Sequence, residues 1–216
     1  MQIEEDIFYT NQIEDVIINK VFMEGIKYTE IMGPNVLDKL KYCGKNVRVY
    51  NLSKIINPQY AELDDNCIIY DYSFIDAQKS FKLGKYSEIT WHVLIEGASY
   101  VHIGDRCFIG PGTKILGSTY EFHGCYSVQH LPEGTGEINF GGVTINDDAY
   151  IGAGCVVMPG VTIGEGAIVG ANSLVNRNLK PWGIYHGNPV KLVGWREKPT
   201  EERRKIVESM DWTKHF

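Results

Sequence analysis

The chain has 216 residues, 44% of them hydrophobic, which is enough for one continuous core in a single domain. Its formal charge of -6 and pI near 5.5 argue against nucleic acid as the main partner, because a duplex needs a basic face. No run of eighteen apolar residues and no basic start followed by an apolar stretch is present, so the reading is a cytoplasmic protein without a membrane span.

Residues 1–42 mix acids with aliphatics and carry Gly33-Pro34 near their end; they fit a helix or an edge strand packed on the first coil of a repeat. That repeat opens weakly at Cys43 with CGKNVRVY. Three blocks of twenty then begin at Leu63, Leu83 and Ile103. Aliphatics align at Leu63, Leu83 and Ile103, at Ile69, Ile89 and Ile109, and at Ile75, Ile95 and Ile115, while Cys67, Ser87 and Cys107 share a small position. Each block reads as one coil of three hexapeptides whose last corner carries two extra residues.

Between Leu116 and Gly142 the repeat stops, and GSTYEFHGCYSVQHLPEGTGEINFG intervenes. A long excursion from a rigid solenoid is usually functional or disordered, and the Tyr, Phe and His content of this one favours function. It can carry a side chain out to a neighbouring subunit.

From Ile145 the period becomes a strict six: Ile145, Ile151, Val157, Ile163, Val169 and Val175. Helices want apolar positions about 3.6 apart and simple strands every second one, so a period of six belongs to a solenoid of short strands and turns. Ala149, Cys155, Val161, Ala167 and Ser173 fill the inner corners. Gly152, Gly164 and Gly170 directly follow an aliphatic, where a turn demanding positive φ costs glycine little, and Asn146 stands in the same place. Cys67, Cys107 and Cys155 read as reduced core residues, and Cys125 as a loop thiol.

The chain closes with PTEERRKIVESMDW, a terminal helix over 199–212 within an appendage spanning 199–216. Thr200 suits the cap, Glu201 and Glu202 the first turn, and Ile206, Val207 and Met210 an apolar stripe. Its expected task is to cover the open end of the prism, so that no strand edge is left unpaired. The fold expected is an all-β solenoid over 43–198 between the two appendages.

IGDRCFIGPGTKI, a loop with His, VTINDDAYIGAGCVVMPGVTIGEGAIVGANSLV and GNPVKLV together resemble the hexapeptide acyltransferases with a left-handed parallel β-helix. The resemblance covers roughly residues 60–212, and the MDW ending is most similar to the xenobiotic branch and its sugar-modifying relatives. It implies a homotrimer with active sites between subunits, acetyl-CoA or another acyl-CoA as co-substrate, no metal, and a loop histidine as general base. The acceptor implied is a hydroxyl or amine of a small molecule, a sugar or nucleotide-sugar first and an antibiotic second. An imidazole with an ordinary pKa near 6.5 suits such proton removal at neutral pH.

Under that resemblance His123 is the first candidate base and His130 the rival, with Glu121 to orient the imidazole or simply to sit in water. Counting as in the galactoside and maltose enzymes puts Tyr120 at the histidine position. Glu96, in VLIE, falls where the sugar enzymes hold acceptor hydroxyls. Trp91 and His92 occupy a corner, where they either pack against a neighbouring subunit or serve the acceptor, Trp91 by stacking on a sugar and His92 as a third candidate base. On the coenzyme side, Ala153 and Ala171 match positions whose backbone meets pantetheine, Tyr150 lines the groove, and Arg177, Lys180 and Lys191 match phosphate-binding cations. Two other classes stay open: a γ-carbonic-anhydrase-like zinc enzyme using three of His92, His102, His123 and His130, and a non-catalytic assembly subunit.

Overall fold

The computed structural model describes residues 31–127 and 132–211. It is a parallel β-helix whose three sheets form the faces of a prism, each coil giving one strand to each face. Among the described residues the first face holds six strands, Tyr42–Cys43, Ala61–Leu63, Ser80–Leu83, Tyr100–Ile103, Val143–Ile145 and Thr162–Ile163. The third face also holds six: Lys54–Ile56, Phe74–Asp76, Leu94–Glu96, Lys114–Leu116, Val156–Val157 and Leu174–Val175. The second face runs from Arg48–Val49 through Ile68–Ile69, Glu88–Ile89, Phe108–Ile109, Tyr150–Ile151 and Ile168–Val169 to the hairpin of Gly183–His186 and Lys191–Trp195.

Backbone pairing follows the sequence blocks. Leu63, Leu83 and Ile103 are partners in register, as are Ile69, Ile89 and Ile109, and Ile75, Ile95 and Ile115. The coil opening at Cys43 is real, with Cys43 against Leu63, Val49 against Ile69 and Ile55 against Ile75. Ile103, Ile109 and Ile115 then pair with Ile145, Ile151 and Val157, so the excursion leaves the stack without interrupting it. These aliphatics are buried in one core, which Cys67, Cys107 and Cys155 help to fill as free thiols. Burial raises the pKa of Cys67 far above the ordinary thiol range and that of Cys107 to about 12, so both remain uncharged core groups.

The turn chemistry differs from the expectation. Gly152, Gly164, Gly170 and Asn146 do not take positive φ; the left-handed residue lies three places after the aliphatic, at Asn66, Tyr72, His92, Arg106, Gly112, Asp148, Gly154, Gly166 and Asn172 among others. The first glycine is required by packing instead. A Cβ on Gly152 would stand 2.6 Å from the Ala171 nitrogen, and one on Gly170 2.7 Å from the His186 ring.

The ends are closed differently from each other. Gly33–Lys39 forms a 3-10 helix that packs on the first coil and buries Val36 beside Val49; residues 1–30 lie outside the described residues. At the other end the antiparallel hairpin covers the last coil, with Tyr185 and Val190 joining the core. The helix Glu201–Ser209 forms with Thr200 as cap, the Arg203 N–H donating to its hydroxyl at 3.4 Å. It does not cover the prism, since it buries no residue and Ile206 is 56% exposed. It lies over the Arg106–Asp148 corner, bounding a cavity of about 220 Å³ with Arg203, Arg204 and Val207.

Candidate active site

Sequence candidates gather on two of the three corners. The corner between the second and third faces is built from Tyr50-Asn51-Leu52, Tyr70-Asp71-Tyr72, Thr90-Trp91-His92, Gly110-Pro111-Gly112, Gly152-Ala153-Gly154 and Gly170-Ala171-Asn172, stacked coil on coil. Its first half is aromatic: Tyr50 stacks on Tyr70 at 5.1 Å, Tyr70 meets Trp91 at 4.7 Å, and Tyr72 stacks on His92 at 5.0 Å. Trp91, Tyr72 and His92 are exposed.

The second half of the same corner is nearly bare. Ala153 and Ala171 are exposed, and their amides have no acceptor among the described residues, while the Ala153 carbonyl accepts from the Asn172 N–H at 2.8 Å. Beside this line Tyr150 stands on the second face, stacked on Phe108 at 5.0 Å with 43% of its surface exposed. Above it, Gly187 donates to Ser173 Oγ at 3.0 Å and accepts from the Leu174 N–H, and Lys191 pairs in the hairpin with His186, whose ring borders Gly170 at the end of the corner. Trp91, His92, Ala153, Ala171 and Lys191 therefore share one edge.

The corner between the third and first faces carries the rest. The excursion departs after Leu116 as a two-stranded antiparallel ribbon, Ser118–Tyr120 against Ile138–Phe140, with Tyr120 opposite Ile138. Glu96 holds its root: the carboxylate accepts from the Gly117 and Ser118 N–H groups, both at 3.1 Å, and from Ser118 Oγ at 3.0 Å. Beneath it lies Asp76, in register on the strand below, whose carboxyl is raised in pKa by burial first and by the Glu96 charge in addition.

Glu121 does not meet the imidazole of His123. Its carboxylate accepts from the backbone N–H groups of Phe122 at 2.8 Å and His123 at 3.0 Å, and from Asn139 Nδ2 at 3.0 Å. The Asn139 bond and then these backbone donors hold the Glu121 carboxyl below the usual carboxylate range. Glu121 thus fixes the backbone that presents His123, whose side chain is exposed. His130 lies outside the described residues. Arg177 continues this corner beyond Val175, and Lys180 follows beside the first face, its N–H donating to the Tyr185 hydroxyl at 2.9 Å. Within one protomer neither joins Lys191.

Crossing the third face from the His92 turn to the Glu96 strand end takes four residues, roughly 13 Å at strand rise. The two groups of candidates in one protomer thus stand on different corners of the prism, at the two ends of the third face. His92, His102 and His123 also stand apart, on a corner, on the first face beside Ser80 Oγ at 3.0 Å, and on the excursion. Among the described residues no three His, Cys, Asp or Glu side chains converge as a metal-binding set. Two partners had no signal in the sequence: Ser118 for Glu96 and Asn139 for Glu121 come from a segment with no repeat to align.

Known proteins share this scaffold. The model of the bacterial transferase hexapeptide (six repeats) matches residues 142–177. A probable macrolide acetyltransferase of Lysinibacillus sphaericus is 31% identical over 139 residues, 59% of this chain and 76% of that protein. A chloramphenicol acetyltransferase of Agrobacterium fabrum is 30% identical over 129 residues, 54% of this chain but 61% of that protein's length. Among solved structures, a variant of AntD, an N-acyltransferase from Bacillus cereus in complex with dTDP and coenzyme A, matches at a TM-score of 0.74 and 27% identity, over 79% of this chain and 92% of that one. The chain belongs to the hexapeptide-repeat acyltransferase family.

Proposed function

We propose that this protein is an acyl-CoA-dependent acyltransferase acting on a hydroxyl or amine of a small acceptor, a sugar or nucleotide-sugar, in the cytoplasm. The observation that carries the reading is that the candidate residues of one protomer lie on two different corners of the prism, which we read as two half-sites. The edge of small residues, with the Ala153 and Ala171 amides that meet no acceptor among the described residues and with Lys191 at its end, suits an extended pantetheine arm and its phosphates. The opposite edge offers Glu96 and the excursion bearing His123. A homotrimer that sets one protomer's excursion beside the next protomer's small-residue edge joins the halves into a site.

In that site His123 takes the proton from the acceptor as it attacks the thioester carbonyl. A backbone N–H of the bare corner steadies the oxyanion, and CoA thiol leaves as the acyl group is transferred. Glu121 acts through the loop backbone. The sugar-nucleotide reading draws on AntD, which was solved with dTDP and matches over most of its own length; the names of two other relatives point to antibiotics, which keeps a xenobiotic acceptor as the alternative.

The test is release of free thiol from acetyl-CoA against a panel of amino sugars, nucleotide-sugars and hydroxylated antibiotics. Release that depends on a nucleotide-sugar is the expected result. Release with antibiotics alone moves the acceptor to the xenobiotic class, and none with any acceptor removes the activity.

A further inference from the structure

The two aromatic ladders end at the same coil. Tyr72 and His92 hold successive rungs with ring planes 6° apart and centroids 5.0 Å apart, and the next residue in that series is Gly112. A Cβ at Gly112 would find nothing within 4 Å among the described residues, so there the rung beyond the His92 ring is open. Neighbouring strands lie about 4.8 Å apart, which leaves room there for one more planar ring in the stack. Beside the gap Trp91 is 47% exposed, and above it Gly154 again offers no side chain.

These rings occupy an unfavourable backbone. Tyr72 and His92 have φ of 63° and 59°, where Gly112, Gly154 and Asn172 fill the same turn position in later coils. Gly and Asn enter that region readily and bulky side chains less so, but Tyr86, Arg106 and Trp182 take the same φ elsewhere in the chain, so it is the stacked ladder ending at an open rung, and not the backbone, that singles these rings out. A cation stands at the rim: Lys114 Nζ lies 3.5 Å from the Gly112 carbonyl and makes no salt bridge among the described residues.

We propose that the open rung at Gly112, floored by His92 and Tyr72, flanked by Trp91 and edged by Lys114, binds the base and diphosphate of a nucleoside diphosphate group. Such a ligand carries both chemistries the surface offers, a flat ring to stack and a strong anion for an ammonium that makes no ion pair among the described residues. Two molecules contain it, a nucleotide-sugar acceptor and CoA itself. The acceptor is the better occupant, because Lys191, the cation expected to take CoA phosphates, lies at the other end of the corner. This assignment rests on the transferase reading; the binding surface itself does not.

Calorimetric titration of UDP and dTDP, with CoA and 3′,5′-ADP in parallel, decides it. His92→Asn and Gly112→Asn are the informative variants, since Asn accepts the left-handed turn as Asn66 and Asn172 already do; the first removes the floor and the second fills the gap. Either is expected to weaken UDP or dTDP about tenfold or more while leaving CoA affinity unchanged. Lys114→Gln should cost less and flatten the salt dependence. The proposal fails if neither nucleotide binds the unaltered protein, if the variants bind them equally well, or if CoA and 3′,5′-ADP are the ligands that weaken. Dissociation of the oligomer by His92→Asn without any nucleotide binding would make this corner a subunit interface instead. A protein that binds UDP or dTDP but releases no thiol from acetyl-CoA keeps the platform and loses the transferase; the converse result separates them the other way.

Discussion

The corner between the first and second faces and the corner between the second and third are made from the same backbone turn, yet their side chains do different work. On the first, Lys45, Lys85 and Asp105 each donate an N–H to the aspartate of the next coil, Asp65, Asp105 and Asp147, at 2.7, 2.8 and 2.9 Å. Arg106 adds a bidentate pair to Asp148 at 2.7 and 3.1 Å. The turns of that corner are stapled to one another. On the second, the corresponding positions of the later coils are Pro111, Ala153 and Ala171, whose side chains have no polar group to offer, and the two alanine amides are unclaimed among the described residues. A solenoid repeats its backbone, and the first coil of the second corner carries the same staple, the Leu52 N–H donating to Asp71 at 2.8 Å, so the contrast lies in the later coils, where the proposed function puts the coenzyme.

Substitutions can break that contrast in order of effect. His123→Ala, on the excursion, should cut acyl transfer by a factor on the order of a hundred while leaving CoA affinity and melting temperature intact; unchanged turnover would pass the role of base to His92 or His130. Ala153→Trp should weaken CoA by about tenfold or more with little change in melting, because Ala153 is exposed on a turn at the edge proposed for pantetheine. Asp147→Ala is the mirror experiment. It removes the acceptor of the Asp105 N–H and should cost about 1 kcal/mol, a drop of roughly 2–4 °C, with CoA affinity unaltered. A loss of CoA binding there would mean that the first corner is not purely structural.

The smallest effect concerns the loop clamp. Because the folded carboxyl of Glu121 lies below its unfolded value, its bonds are fully present above the ordinary glutamate range and are lost as pH falls through the lowered value. The amide resonances of Phe122 and His123 should therefore titrate together, below the usual glutamate pKa, and stop titrating in Glu121→Gln. Titration at the ordinary value would remove the clamp.

The sequence is legible where the coils repeat and opaque where they stop. Register is readable to the residue, since an aliphatic that pairs with its counterpart one coil on must recur at the coil's length. The reason for the glycines is not: a glycine forced by a neighbouring backbone, as at Gly152, and one favoured by φ, as at Gly154, are written with the same letter. The terminal helix is readable from Thr200 and its acids, but its apolar residues give no sign that they stay outside the prism. At the excursion, pairing of Ser118–Tyr120 with Ile138–Phe140 leaves no period to align, so the partners of Glu96 and Glu121 emerge only in three dimensions.

Subunit complementation tests the central claim, that one protomer holds two halves of different sites, most directly. Assayed at subsaturating acetyl-CoA, where His123→Ala should keep about a hundredth and Ala153→Trp about a tenth of wild-type turnover, the two co-expressed and randomly assembled should regain about a quarter of it, because some interfaces then pair an intact excursion with an intact small-residue edge. Mixed assemblies no more active than either variant would contradict it, since both lesions would then lie in one protomer's own site.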